Sequence, residues 1–579
     1  MGIKRKTEEK KMSMNKNIAR LAVTAGLTAA LSFGGVMAPV TMAFAEGATT
    51  TTNSITINKI AGNEDVEYKA YQIFKAKVTD TENGKTAQDI TWANETLGPK
   101  VVKAIEEKWT GYTRLDQDKK LSNNPTAQEV ADFLMAHAGP TTAGSSDGSS
   151  EGTRLATDNV LYAVANAVED QTPAASSHDT GDAWTFNPQS SGYYLFVTSG
   201  LDEKKPNTGT SPIFAIVGGS PVTVTEKTSI PTVNKEVREG TKWGKVSDSY
   251  IGEEVEYKLT GSVASNIDTF TKYEYSFQDH LSVGLEASRD SVKVTINDKV
   301  IQPTNGYTVD LEDTKDASGS PTGGHDLTIS FSDLKAAATA AGVTLTGDSK
   351  VVVTYKAKLT DKAEYKRTGN INEVKLVYSN NPMTGDKGTS ESDEVADYVF
   401  GLDVTKTDPD NASANLVAGF KVKMIKEGTT KTVSKWLKQD GSFADDESQA
   451  YTFETTGEGN KVFIPGLVEG TYLISESKTP AGYNTIADFE ITVTPTYDAT
   501  GMLTGLKAEP RSGMVTGADV ENPTTTKIPI TIKNKKGSGL PLTGLNGVTF
   551  TWIAGGAVLC IGVAHLIRSR KQAEESEQE

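Results

Sequence analysis

The stretch "GTYLISESKTPAGYN", residues 470–484, decides how the chain is read. Tyr472, Ile474 and Glu476 alternate with Leu473, Ser475 and Ser477, so on an extended strand the first three point to one face. An acid therefore stands in line with an aromatic and an aliphatic residue. The same period of two recurs in "SITINKI", "GYYLFVTS", "EEVEYKLTGSV", "SVKVTIND", "KVVVTYKAKL", "VKLVYS" and "FEITVTP", which are rich in β-branched residues. Turn clusters separate these runs at short intervals, which favours β-sandwiches over a parallel sheet. The expected fold class is mainly β, with a few helices in the N-terminal part. "TAQEVADFLMAHAG" opens with a capping box, Thr126 to Glu129, and stops at Gly139. "NVLYAVANAVED" and "SDLKAAATAAG" also read as helices.

At 579 residues the chain calls for several domains, and a hydrophobic content of 36% is enough to fill their cores. A net charge of −16 excludes nucleic acid as a partner, because phosphate binding needs a basic face. The single cysteine, Cys560, lies in an apolar C-terminal run, so no intrachain disulfide can brace an exported body.

Both ends read as processing segments. A basic stretch with Lys16 and Arg20 precedes an apolar run and the small-x-small pattern Ala43-Phe44-Ala45, which places signal cleavage between Ala45 and Glu46. Near the other end, Leu540-Pro541-Leu542-Thr543-Gly544 precedes an apolar run over 548–567, long enough to cross a bilayer as a helix. Arg568, Arg570 and Lys571 follow, which puts the tail in the cytoplasm and the body outside the cell.

The expected organisation is a signal peptide over 1–45, an N-terminal domain over 46–226, a middle domain over 227–397 and a C-terminal domain over 398–524. A stalk over 525–539 and a sorting segment over 540–579 complete it. The run "SNNPMTGDKGTSESDEVAD" reads as a polar linker between the last two domains. Those two domains run loosely parallel: each opens on a strand with a lysine, "PTVNKEV" and "LDVTKTD", and each closes on a strand with an asparagine. First and last strands of a sandwich often pair, which would make the two residues neighbours.

A buried neutral lysine is a competent nucleophile, because desolvation lowers its pKa. An asparagine amide becomes electrophilic when an acid, kept protonated by the same desolvation, hydrogen-bonds its carbonyl. Held together in a core, the three would form an amide crosslink once and release ammonia.

The opening stretch resembles the E-box of B-type collagen-adhesin domains: tyrosine-x-leucine-x-glutamate-threonine, then a proline and a glycine-tyrosine. Ile474 replaces the leucine and Ser477 the threonine. The resemblance implies immunoglobulin-like sandwiches of collagen-adhesin A and B type, with Glu476 as the catalytic acid and Lys406 and Asn522 as the bonded pair. In the middle domain "YEYSFQDHLSVGL" is similar to the family's acid-bearing segment, with Asp279 as the acid and Lys235 as the amine. Its partner is Asn370 or Asn372, which share strand parity, and Asn372 is preferred. The first domain carries a cousin of the E-box, "SGYYLFVTSG", with Thr198 where an acid would be sought, and no crosslink is expected there.

As a whole the chain resembles the major backbone pilins of Gram-positive, sortase-assembled pili. The resemblance implies cleavage by sortase between Thr543 and Gly544, and joining of Thr543 to a lysine of the next copy. The usual valine-tyrosine-proline-lysine form is absent from "GGSPVTVTEKTSIPTVNKEV", and Lys227, at the domain junction, takes the lysine's place. The implied partners are sortase, copies of the same chain, minor or tip pilins, peptidoglycan, and a host surface protein or glycan. The implied location is the cell-wall surface. The alternative is a wall-anchored adhesin that does not polymerise. No turnover enzyme, cofactor or metal site is expected: the five histidines lack ligand spacing, and "GSSDG" at 144–148 has no strand before it to make a nucleophile elbow.

Overall fold

The computed structural model describes residues 53–537, apart from 82–83, 111–120, 123, 139–154, 156, 178–180, 412 and 457–458. The signal segment, the LPLTG motif, the apolar C-terminal run and the basic tail lie outside the described residues. No helix among the described residues is long and apolar enough to cross a membrane. The mainly β expectation is borne out, as the described residues form six sheets.

In the first domain a three-stranded sheet (Ala183–Phe186, Ile55–Asn58, Val222–Thr225) faces a larger sheet whose core is Glu67–Thr81 and Gly192–Ser199. Helices Leu97–Thr110, Ala127–His137 and Val160–Val168 cover the other face of that larger sheet. Strand Gly192–Ser199 is therefore buried on both faces, which explains its almost continuous apolar run. The capping box is present: Glu129 N donates to Thr126 Oγ1 at 3.2 Å, and Thr126 N donates to Glu129 Oε2 at 2.7 Å.

The middle domain packs a six-stranded sheet, which includes Val233–Glu239, Glu254–Ser262 and Lys350–Leu359, against a seven-stranded one. The second sheet includes Tyr275–Leu281, Asn370–Ser379 and Asp393–Tyr398. The expected polar linker is not one. Asp393–Tyr398 pairs with Asn370–Ser379, and the turn before it docks on the first domain. There Gly209 N donates to Asn380 O at 2.5 Å, Asn380 Nδ2 to Asn207 Oδ1 at 2.9 Å, and Tyr162 Oη to Pro382 O at 2.6 Å. Its polar side chains are used in the junction, so composition misrepresents it.

Only Val399 separates Asp393–Tyr398 from Phe400–Thr407, which opens the C-terminal domain. That domain packs a four-stranded sheet on an eight-stranded one that contains Gly470–Lys478. The expected stalk is also corrected. Lys527–Lys533 lies inside the four-stranded sheet, parallel to Phe400–Thr407, with Gly401 opposite Lys527 and Thr407 opposite Lys533. Ile528, Ile530 and Ile532 fill the core, while Pro529 is exposed between them. The proline and flanking lysines hide a strand whose apolar residues keep strict parity.

Carboxyls collect where the middle and C-terminal domains meet. Glu469 N donates to Asp248 Oδ2 at 2.5 Å across the boundary, and buried Asp397 accepts from Ser247 Oγ and Ser249 Oγ at 2.9 and 2.8 Å. Burial pushes Asp397 and Glu253 up to about 7 and raises Asp248 as well. These folded values lie above the unfolded carboxylate range of about 4, so the stability they confer is complete below about pH 4 and is lost as pH rises through 7. The ectodomain should melt several degrees lower at pH about 8.5 than at pH about 5.5, with Asp397→Asn narrowing the gap. An unchanged gap in Asp397→Asn by scanning calorimetry would contradict this.

Candidate functional site

The C-terminal site grows from three strands. Phe400, Leu402, Val404 and Lys406 share one inward-facing parity, so Lys406 occupies a position where an apolar residue would otherwise complete the row. Glu476 ends the matching row of Tyr472 and Ile474 on the facing sheet. Ile528, Ile530 and Ile532 continue in parity to Asn534, whose N–H donates to Thr407 O at 3.0 Å.

Lys406 and Asn534 have no exposed surface, and the Glu476 side chain is fully buried. Lys406 Nζ donates to Asn534 Oδ1 and lies 3.4 Å from Glu476 Oε1. Asn534 Nδ2 donates to both Glu476 oxygens, at 2.9 and 3.1 Å, and to Asn484 O at 3.0 Å. The segment after the E-box closes this pocket: Ile486 N and Thr479 Oγ1 donate to Glu476 Oε2, and Tyr483 Oη donates to Asp408 at 2.8 Å. Tyr472 is not at the reacting atoms. Its hydroxyl ties the corner by accepting from Val468 N and donating to Val468 O. Burial lowers the Lys406 ammonium to about 8, against the pull of Glu476.

Asn522 is not the neighbour of Lys406. It is exposed, in a left-handed turn at φ 48°, and its side chain accepts from Arg367 at 3.2 Å. It follows Ala518–Glu521, an edge strand of the other sheet, whereas the strand that pairs with Phe400–Thr407 comes later. The parity of Ile528, Ile530, Ile532 and Asn534 was the signal that would have found the asparagine beside Lys406.

The middle domain assembles a related cluster differently. Lys235 continues the row of Val233 and Val237 in one sheet. Asp279 follows Tyr275 and Phe277 in the other, and Asn372 precedes Val374 and Leu376 there. Lys235 and Asn372 thus meet across the sandwich rather than on paired strands, and Asp393–Tyr398 is the later strand. All three residues are at most 2% exposed. Lys235 Nζ donates to Asp279 Oδ1.

Tyr355, which sequence reasoning missed, links them. Its hydroxyl donates to Asp279 Oδ2 at 2.6 Å and accepts from Asn372 Nδ2 at 2.6 Å and Lys235 Nζ at 3.3 Å. Its inward parity with Val351 and Val353 was the available clue. Burial pushes Lys235 down to about 8 and Asp279 up, which brings the pair toward its uncharged form. Asn372 Oδ1 is buried with no hydrogen-bond partner, whereas Asn370 is engaged by Glu364 N at 2.9 Å and Asp397 O at 3.1 Å. The structure therefore places Asn372, not Asn370, on the same Tyr355 hydroxyl as the amine.

In the first domain Thr198 is buried and accepts from Thr210 N at 3.1 Å. Lys227 is half-buried where that domain meets the middle one, and its N–H donates to Thr210 Oγ1 at 2.9 Å. Among the described residues no group of three or more histidine, cysteine or acidic side chains could hold a metal.

Residues 400–504 match SpaA, a prealbumin-like fold domain. The matched stretch lies within the C-terminal sandwich. Over 281 residues the chain is 23% identical to the trypsin-resistant surface T6 protein of Streptococcus pyogenes serotype M6, covering 46% of this chain and 46% of that protein. The aligned part thus spans about half the length of the relative. Among solved structures, the T6 backbone pilin of S. pyogenes serotype M6 is 16% identical over 85% of this chain and all of its own, with a TM-score of 0.47. The fimbrial protein FimP of Actinomyces oris is 15% identical over 84% of this chain and 98% of its own, with a TM-score of 0.43. The likeness to Gram-positive backbone pilins read from the sequence is borne out, and residue roles rest on the geometry above.

Tyr355→Phe should leave Asp279 Oδ2 and Asn372 Nδ2 without their buried partner, at a cost of about 1–3 kcal/mol for each. Denaturant unfolding of the ectodomain measures this, and a loss below about 0.5 kcal/mol would show that the hydroxyl is not what holds the cluster.

Proposed function

We propose that this protein is the structural shaft subunit of a cell-wall pilus, joined head to tail by sortase and braced by one self-formed Lys–Asn crosslink in each of its last two domains. The observation that carries the reading is the contact of Lys406, Asn534 and Glu476 inside a buried core, matched by Lys235, Asn372 and Asp279 gathered on the Tyr355 hydroxyl. A structural amide needs no charge-pair cluster of this kind, and an apolar triple would pack there at less cost.

In each core the neutral lysine attacks the asparagine Cγ. A bond forms between Nζ and Cγ, the bond from Cγ to Nδ2 breaks, and ammonia leaves with the proton the amine gives up. Glu476 or Asp279 hydrogen-bonds the amide oxygen and relays that proton. Turning the Asn534 amide over brings its oxygen to Glu476 and leaves Cγ beside Nζ. The reaction runs once, so the chain is a substrate of its own fold and not an enzyme with turnover.

At the sorting motif, sortase would break the Thr543–Gly544 amide and hold the Thr543 carbonyl as an acyl-enzyme. The amine of Lys227 in the next copy would then take that acyl group. A final transfer would attach the polymer to peptidoglycan on the outer face of a Gram-positive cell, with minor or tip subunits added by the same chemistry.

Two experiments test this. Wall extracts boiled in detergent should show a high-mass ladder that collapses to monomer in Lys227→Ala; a single wild-type band would leave a monomeric wall-anchored adhesin instead. The purified ectodomain should weigh two ammonia less than its sequence mass. Asn534→Ala should restore one deficit and Asn522→Ala none; the reverse pattern would overturn the C-terminal assignment.

A further inference from the structure

The buried acid next to Lys227 has no part in either crosslink. Glu226 is 4% exposed and accepts from Ile60 N at 2.7 Å, from Asn63 Nδ2 at 2.8 Å and from Tyr68 Oη. Asn63 is itself saturated by Thr208, whose O accepts from its Nδ2 at 2.8 Å and whose N donates to its Oδ1 at 3.1 Å. Buried Lys59 is close enough to favour the Glu226 charge while its Nζ donates to Glu64 O at 2.8 Å, and the carboxylate is clamped by the three donors.

Parity explains what the clamp holds. Val222, Val224 and Glu226 point inward, while Thr223 is exposed and Thr225 and Lys227 are half-buried. The ladder to the first strand continues through this point, with Glu226 N donating to Asn58 O at 3.0 Å. A slip of one residue would exchange the two faces and turn Lys227 inward. Buried Val222 and Val224 resist that slip within the strand, which ends at Thr225; beyond it the next inward group is Glu226. A buried carboxylate with three convergent donors is satisfied in a single register, and leaving them unpaired is costly. On the far side, Thr228 Oγ1 donates to Asn266 Oδ1 at 2.8 Å, which ties the same segment to the middle domain.

We propose that Glu226 is a positioning residue that sets the strand register at Lys227 and so holds its amine on the outer side of the junction between the first two domains. The proposal deepens the reading of Lys227 as the polymerising amine and rests on it for its biological use. The geometric claim is independent of sortase.

The test is competitive acylation of the folded ectodomain with the N-hydroxysuccinimide ester of acetate, read lysine by lysine by mass spectrometry. Exposed Lys204 and Lys242 serve as internal standards. In Glu226→Ala the acylation rate of Lys227 should fall about tenfold, the weight of one charge-assisted hydrogen bond, while the rates of the standards stay in place and the folded protein melts at a lower temperature because three buried donors lose their acceptor. Glu226→Gln, which keeps an acceptor oxygen, should recover most of the rate. An unchanged Lys227 rate in folded Glu226→Ala overturns the proposal. If that variant does not fold, Tyr68→Phe decides: it removes one donor at constant shape and should slow Lys227 by about threefold, and no change overturns the proposal. Adding sortase and an LPLTG peptide then separates the two claims. If Lys227→Ala still accepts the peptide, the polymerisation reading fails while the acylation result stands.

Discussion

Taking a lysine ammonium out of water is the constraint on which the middle and C-terminal sandwiches both depend. Lys235 and Lys406 sit in rows otherwise filled by valine, leucine and phenylalanine, with no exposed surface. Each is pushed down to about 8 by that burial. A charge so placed must be paired, neutralised or consumed. The facing acid pairs it, proton sharing within the pair neutralises it, and an amide carbon within reach can consume it. The remaining packing around these sites, including the Tyr472 corner and the Tyr483 closure, keeps water from offering a fourth outcome.

The two domains reach the same juxtaposition by different topologies. In the C-terminal one the lysine and asparagine strands run side by side and parallel, so the crosslink would staple neighbours within one sheet. In the middle one they face each other, so it would staple sheet to sheet, with Tyr355 spanning the gap. In a head-to-tail shaft, tension would enter at Lys227 and leave at Thr543. Load would bypass residues 236–371 and 407–533 through the two crosslinks. The first domain lies before Lys227 and outside that path, consistent with its buried acid serving as a clamp and not as a proton relay. Of the three stretches left to bear load, 227–235, 372–406 and 534–543, the longest runs through the docked turn at Asn380 and the carboxyl-rich boundary at Asp397.

What was legible in the sequence follows from how far each signal is local. Period-two rows gave away the strands, and Glu476 was readable because one tyrosine, one isoleucine and a following turn fix its face. Lys235, Lys406 and Asp279 could be placed by the same parity. Asn534 was not, because Pro529 and a cluster of lysines made Lys527–Lys533 look like a stalk, and "VENP" offered an asparagine at the expected end. Tyr355 was missed because a tyrosine in an apolar row is ordinarily core, and only the third dimension reveals what its hydroxyl meets. The 379–397 run was misread for the opposite reason: its polarity serves a junction with another domain, and no one-dimensional pattern records that.

In the proposed reading Lys406 and Lys235 are covalently joined to Asn534 and Asn372. The most direct measurement is tandem mass spectrometry of a protease digest of the denatured ectodomain. Two branched peptides are expected, one joining the Lys406 segment to the Asn534 segment and one joining Lys235 to Asn372, each lighter by one ammonia than its two parts. Recovery of all four segments as separate linear peptides of full mass would contradict it.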